Sequence, residues 1–180
     1  MDTVWKTMIW QQFGASIDML ENAMRVCPEA VWGDRSFRPE FWYVAFHTLF
    51  FLDLYLSDTD AGFSPPAPFT LDEMDERGLL PERVYTKAEL QKYLEHGREK
   101  CRKTIGVMTE ERAGQRCGFS WLEMNVAESL LYNMRHVQHH AGQLNMILRQ
   151  KTDSAPRWVR QTGSGLDLLR RDPESFAPSV

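Results

Sequence analysis

The stretch Phe41–Leu56, FWYVAFHTLFFLDLYL, decides the fold. It is apolar on almost every side, so it belongs either in a bilayer or deep in a protein core. It is too short for a membrane span, which needs about 20 apolar residues. His47, Thr48 and Asp53 also interrupt it. A buried helix of a soluble bundle accounts for it better. That helix is expected to start at Pro39, where a missing N–H costs nothing, and to break after Leu56 at Ser57-Asp58-Thr59-Asp60-Ala61-Gly62.

On the N-terminal side, Trp5, Ile9, Phe13, Ile17, Leu20 and Met24 recur every three or four residues. That is one apolar stripe on a helix, which should end before Pro28. On the C-terminal side, residues 57–85 hold Pro65, Pro66, Pro68, Gly78 and Pro81 and read as a long connection. Thr86 then opens a capping box closed by Glu89. A third helix follows, with Leu90, Leu94, Gly97, Cys101, Ile105 and Met108 on one stripe. Its basic run Arg98–Lys103 reads as a solvated outer face. Ser120 and Glu123 form a second capping-box pattern, which predicts a fourth helix from about Trp121 to Gln150. Residues 151–180 read as an irregular arm, with Trp158, Val159, Leu166, Leu168 and Leu169 to dock it on the bundle or on a partner. Four long helices without strand patterns predict an all-α, four-helix-bundle fold in one domain over 1–180.

Composition narrows the function. The 180 residues carry 21 Lys+Arg against 25 Asp+Glu, a net charge of −4. No basic excess points to nucleic acid, and no face seeks a membrane. The N-terminus lacks the basic and apolar regions of a secretory signal. Cys27, Cys101 and Cys117 are odd in number, and none is paired at C-x-x-C spacing. They read as reduced thiols of a cytoplasmic protein.

The histidines carry the chemistry. His136 and His140 are i and i+4 on the fourth helix, neighbours on one face. Measured from the apolar direction of that helix, His140 lies roughly 60° away, His136 roughly 100°, and His139 almost opposite. His136 and His140 therefore sit at the core edge, and His139 faces solvent. His47 interrupts an apolar helix, where an unpartnered ring would be costly. At similar depth on facing helices, His47, His136 and His140 could surround one divalent ion and leave a position open. His96 has no such partner and reads as a surface residue. A di-iron site is excluded, because Asn133 and Val44 stand where glutamates would be needed. Val137 excludes a zincin motif. Asn133 and Gln143 share the His136/His140 side and could orient those rings, or could simply be polar residues at the bundle edge. Asp53, six residues after His47, is poorly placed for that role. The run Asp72-Glu73-Met74-Asp75-Glu76 reads as a solvated acidic loop, with the shaping of an entrance as the alternative.

FHTLFFLDLYL in the second helix and RHVQHHAGQLNMILRQ in the fourth resemble the DinB-like (damage-inducible, YfiT-related) superfamily of bacterial proteins. The resemblance covers helix order and length over about residues 1–150. It is most specific at the H-x-x-x-H-x-G-Q stretch. It implies a four-helix bundle holding a divalent metal, commonly nickel or zinc, on His47, His136 and His140, with His139 as an extra. It also implies a homodimer. Some relatives are metal-dependent thiol transferases or isomerases that use a small bacterial thiol. The leading expectation is thus a metal-dependent enzyme of hydrolase or thiol-transferase type acting on a small molecule. The alternative is a non-catalytic metal-stabilised or metal-sensing dimer.

Overall fold

A computed structural model describes residues 3–36, 38–75 and 81–166. The chain is all-helical. Among the described residues there are six α-helices, one 3-10 turn and no strand. Four helices are long: α1 (Thr3–Val26), α3 (Phe41–Tyr55), α4 (Lys87–Val107) and α6 (Val126–Thr152). They pack in a ring in which α1 and α3 each lie between α4 and α6. No helix among the described residues is long and apolar enough to cross a membrane.

The apolar stripe of α1 is buried from Ile9 to Met24, against α6 and α4. α3 is buried on all sides except at Tyr43, His47 and Phe51. Those three are spaced i, i+4 and i+8, so they form one line along the helix. A helix so apolar can leave only one face uncovered, and His47 stands in the middle of it. Burying each large side chain of the α3 core stabilises the packing by about 1.5–3 kcal/mol.

The capping box at Thr86 and Glu89 opens α4 as the sequence predicts. The one predicted at Ser120 and Glu123 does not form. α6 begins five residues later than expected, capped by Asn125 and Glu128. Residues 115–126 instead fold back on themselves, with the Cys117 N–H donating to the Met124 carbonyl and the Val126 N–H to that of Gln115. This turn carries Phe119 into the core, 5.4 Å from the ring of Tyr55. Asn125 has the same side-chain capping chemistry as Ser120, and sequence pattern alone does not separate the two. Two short helices, α2 (Glu29–Trp32) and α5 (Glu110–Gly114), lie between the four helices that the sequence predicts. α5 is capped by Thr109, whose hydroxyl accepts from the Arg112 N–H.

The connection between α3 and α4 is anchored by rings. Phe69 is buried and stacks on Tyr93 at 4.4 Å and on Phe46 at 5.8 Å. This anchor holds the following 3-10 turn, Asp72–Met74, against the uncovered line of α3. The arm after α6 docks on α1. The Thr162 N–H donates to the Gln11 carbonyl, and the Trp10 ring N–H donates to the Ser164 carbonyl at 2.8 Å. Val159 is partly buried against the same core, while Trp158 is exposed. Leu168 and Leu169 lie outside the described residues.

Candidate metal centre

The three singled-out histidines meet between α3 and α6. His47 Nε2 lies 3.4 Å from His136 Nε2. The ring of His140 lies 4.8 Å from that of His47 and 4.5 Å from that of His136. One ring nitrogen from each falls within 4.8 Å of the others, so the group could hold a metal ion. The closest pair already has the right spacing. Two nitrogens bound at about 2.0–2.1 Å in tetrahedral geometry stand about 3.3–3.4 Å apart.

Hydrogen bonds turn the rings toward each other. His47 Nδ1 lies 2.6 Å from Glu73 Oε2, in the 3-10 turn over α3. A carboxylate accepts there, so the proton sits on Nδ1 and the lone pair on Nε2 faces the cluster. His140 Nδ1 lies 2.7 Å from Gln143 Oε1, which fixes the same tautomer. With Nε2 of His47 a bare lone pair, the facing His136 nitrogen must share a proton or a cation with it, or suffer repulsion. Among the described residues His136 Nδ1 is buried without a partner, and so is Asn133 Oδ1 one turn earlier. The donor set fits an ion: neutral imidazoles, braced from outside, with nitrogens converging at coordination distance.

The electrostatics agree. Burial, then the charges of the neighbouring imidazoles, hold the His136 ring down to about pKa 3. Burial chiefly, with the neighbouring rings and against the Gln143 hydrogen bond, holds His140 down to about 4. Both are therefore neutral near pH 7, the form that binds a metal. Burial and the adjacent Glu73 carboxylate push the Tyr43 phenol well above its ordinary range.

Two expectations from the sequence change here. Glu73 is not a solvated loop acid, since its side chain is only 3% exposed. The sequence offers four acids in that run and no sign of which one turns inward. Nor is the Arg98–Lys103 run merely a solvated face. Arg98 pairs with Asp18 and Glu21, and Lys100 reaches the buried Asp53 at 2.5 Å. Asp53 points to α4, away from the cluster, where Tyr93 and His96 also approach it at 3.2 and 3.4 Å. His96 is thus half exposed but partnered. His139 is exposed, and its Nε2 accepts from Gln143 at 3.1 Å. Gln143 orients His140 directly. Asn133 instead donates to the Leu52 carbonyl at 3.0 Å.

The family model of the DinB superfamily matches residues 12–144. The chain belongs to the DinB superfamily. The matched region runs from α1 into α6 and contains His47, His136 and His140, so the cluster lies within the DinB core. No curated protein matches the chain, and no solved structure does.

Proposed function

We propose that the protein is a metal-dependent enzyme whose ion, nickel or zinc, is held by His47, His136 and His140 in a four-helix bundle. The observation that carries this reading is the convergence of three ring nitrogens, two of them fixed from behind by Glu73 and Gln143. With three protein ligands, such a site keeps a position open. When bound, the ion would lower the pKa of a water or small-molecule thiol there and supply a nucleophile near neutral pH. Hydrolysis and thiol transfer are the reaction types this chemistry serves. A small thiol as co-substrate, a homodimer and a cytoplasmic location belong to the same proposal.

The chain's own residues do the rest. Glu73 keeps the His47 proton on Nδ1, and Gln143 does the same for His140. Phe51 packs against the rings of His47 and His136 at 4.8 and 5.6 Å and excludes water from that side. The test is metal analysis of tag-free protein beside the His47→Ala/His136→Ala/His140→Ala variant. About one ion per chain is expected in the parent and none in the variant. Equal, near-zero metal in both would refute the reading. Chelation that lowers thermal stability, with no thiol or ester substrate turned over, would favour a non-catalytic metal-stabilised protein.

A further inference from the structure

α6 has an unusual charge pattern. Acidic residues make up 25 of the 180, yet none of the 24 residues from 129 to 152 is acidic. That span carries Arg135, Arg149 and Lys151 together with His136 and His140. The acid that does face the histidine cluster, Glu73, comes from the α3–α4 connection and is engaged by His47.

A shallow, open cleft of about 480 Å³ lies on this face of α6, lined by Tyr132, Arg135, His136, Gln138 and His139. His136 belongs to both the cleft and the cluster, so the cleft borders the histidines. Arg135 is exposed, and among the described residues no side chain pairs with its guanidinium. Among the described residues no acid lines the cleft. Tyr132 is the lining residue with an apolar ring, backed by further aromatics. Tyr132 packs edge-on to Tyr55 at 5.2 Å, and Tyr55 packs on Phe119, which in turn meets the exposed Trp121.

We propose that this cleft is a subsite for a small organic carboxylate with a flat apolar group. Arg135 grips the carboxylate, and Tyr132 supports the ring. A guanidinium offers a planar fork that matches a carboxylate in two parallel hydrogen bonds. Gln138 and His139 add donors at the rim. A nearby divalent ion would deepen the same positive field. The placing of the ligand's reacting end at the histidine cluster rests on the metal reading above. The grip of Arg135 does not.

Phenylacetate is the probe, with phenylacetamide as its uncharged counterpart, titrated into ¹⁵N-labelled full-length protein both metal-free and zinc-loaded. Phenylacetate should shift the resonances of Tyr132, Gln138 and His139 saturably, and phenylacetamide should bind at least about tenfold more weakly. Arg135→Gln should weaken phenylacetate about tenfold without changing zinc content, and Arg135→Lys should fall between. Equal affinity for the amide, equal affinity in Arg135→Gln, or no saturable shift in either metal state overturns the subsite. Binding through Arg135 in a protein that takes up no zinc supports the subsite and removes the metal reading.

Discussion

Glu73 is the sharpest place to perturb the centre, because metal affinity and fold stability respond to it differently. Its Oε2 lies 2.6 Å from His47 Nδ1 and its side chain is 3% exposed, so the contact is short, charged and nearly dry. Among the described residues its other oxygen, Oε1, is buried with no hydrogen bond of good geometry, although the Tyr43 phenol lies close to the carboxylate. Removing such a partner behind a metal-binding histidine typically costs 10–100-fold in affinity, or about 1.4–2.7 kcal/mol. Glu73→Gln keeps an acceptor for the Nδ1 proton but loses the charge, so about tenfold is expected. Glu73→Ala loses both, and about 100-fold is expected. Metal-free stability should behave otherwise. Replacing the carboxylate with an amide removes a desolvated charge, while a buried polar atom stays at the Oε1 position. The metal-free Tm of Glu73→Gln should stay within about 2 °C of the parent or rise. Competition for Zn²⁺ against a chromophoric chelator gives the affinity, and calorimetry of chelated protein gives the Tm. If both variants bind Zn²⁺ within about twofold of the parent, the outer bond does not tune the centre. If affinity and metal-free stability fall together, Glu73 merely fastens the loop.

Elsewhere the fold gives further expected outcomes. Lys100→Met should cost about 3–5 kcal/mol in urea denaturation, because it strands the charge of Asp53, which is 1% exposed. A loss under about 1 kcal/mol would mean that Tyr93 and His96 suffice to hold that carboxylate. Gly118→Ala should destabilise by about 1–3 kcal/mol, since a Cβ there collides with the Asp58 backbone carbonyl. Gly142→Ala meets nothing within 4 Å on an exposed helix turn, and should stabilise by about 0.5–1 kcal/mol. Calorimetry of the two variants checks the opposite signs. Cys27, Cys101 and Cys117 are buried, with burial pushing the Cys27 thiol up to about 12 and that of Cys101 well above its ordinary value. A thiol reagent should therefore label the native protein slowly and react with all three cysteines after denaturation. Rapid labelling of the native protein would contradict that burial.

The helices were legible because periodicity is a local signal. The stripe from Trp5 to Met24, the apolar run after Pro39 and the Thr86 capping box each name their own element. The start of α6 was not legible. Ser120 with Glu123 and Asn125 with Glu128 are equivalent capping patterns, and the burial of Phe119 decides between them from outside the segment. The placing of His136 and His140 at the core edge followed from helical angles, and His47 stood out by interrupting an apolar helix. The outward turn of His139 followed from the same angles. Glu73 escaped because its position depends on Phe69 docking between Phe46 and Tyr93, a tertiary event in a loop without period. Asp53 and Lys100 escaped for a similar reason. Asp53 reads as an intruder in an apolar helix until α4 supplies the ammonium that satisfies it.

The three rings of the centre have unequal support, and the inequality ties the site to the packing of the helices. His47 has a carboxylate from a loop, and His140 has an amide from its own helix. His136 has neither, but its unpaired Nδ1 lies one turn from the unpaired Oδ1 of Asn133. A neutral imidazole whose Nε2 lone pair faces the cluster must carry its proton on Nδ1, so these two buried atoms are a donor and an acceptor. The i, i+3 spacing puts them on the same face of α6. Asn133 cannot turn freely to serve only the histidine. Its amide nitrogen is held by the Leu52 carbonyl in the last turn of α3, where Leu56 has bonded to Asp53 instead. One side chain therefore pins the last turn of α3 to α6, about a turn away from where His47 and His136 face each other. That bond helps set the register of the two helices that carry the two nitrogens. On the proposed metal reading, rings held this way would lose little freedom on binding an ion, because core packing already orders them.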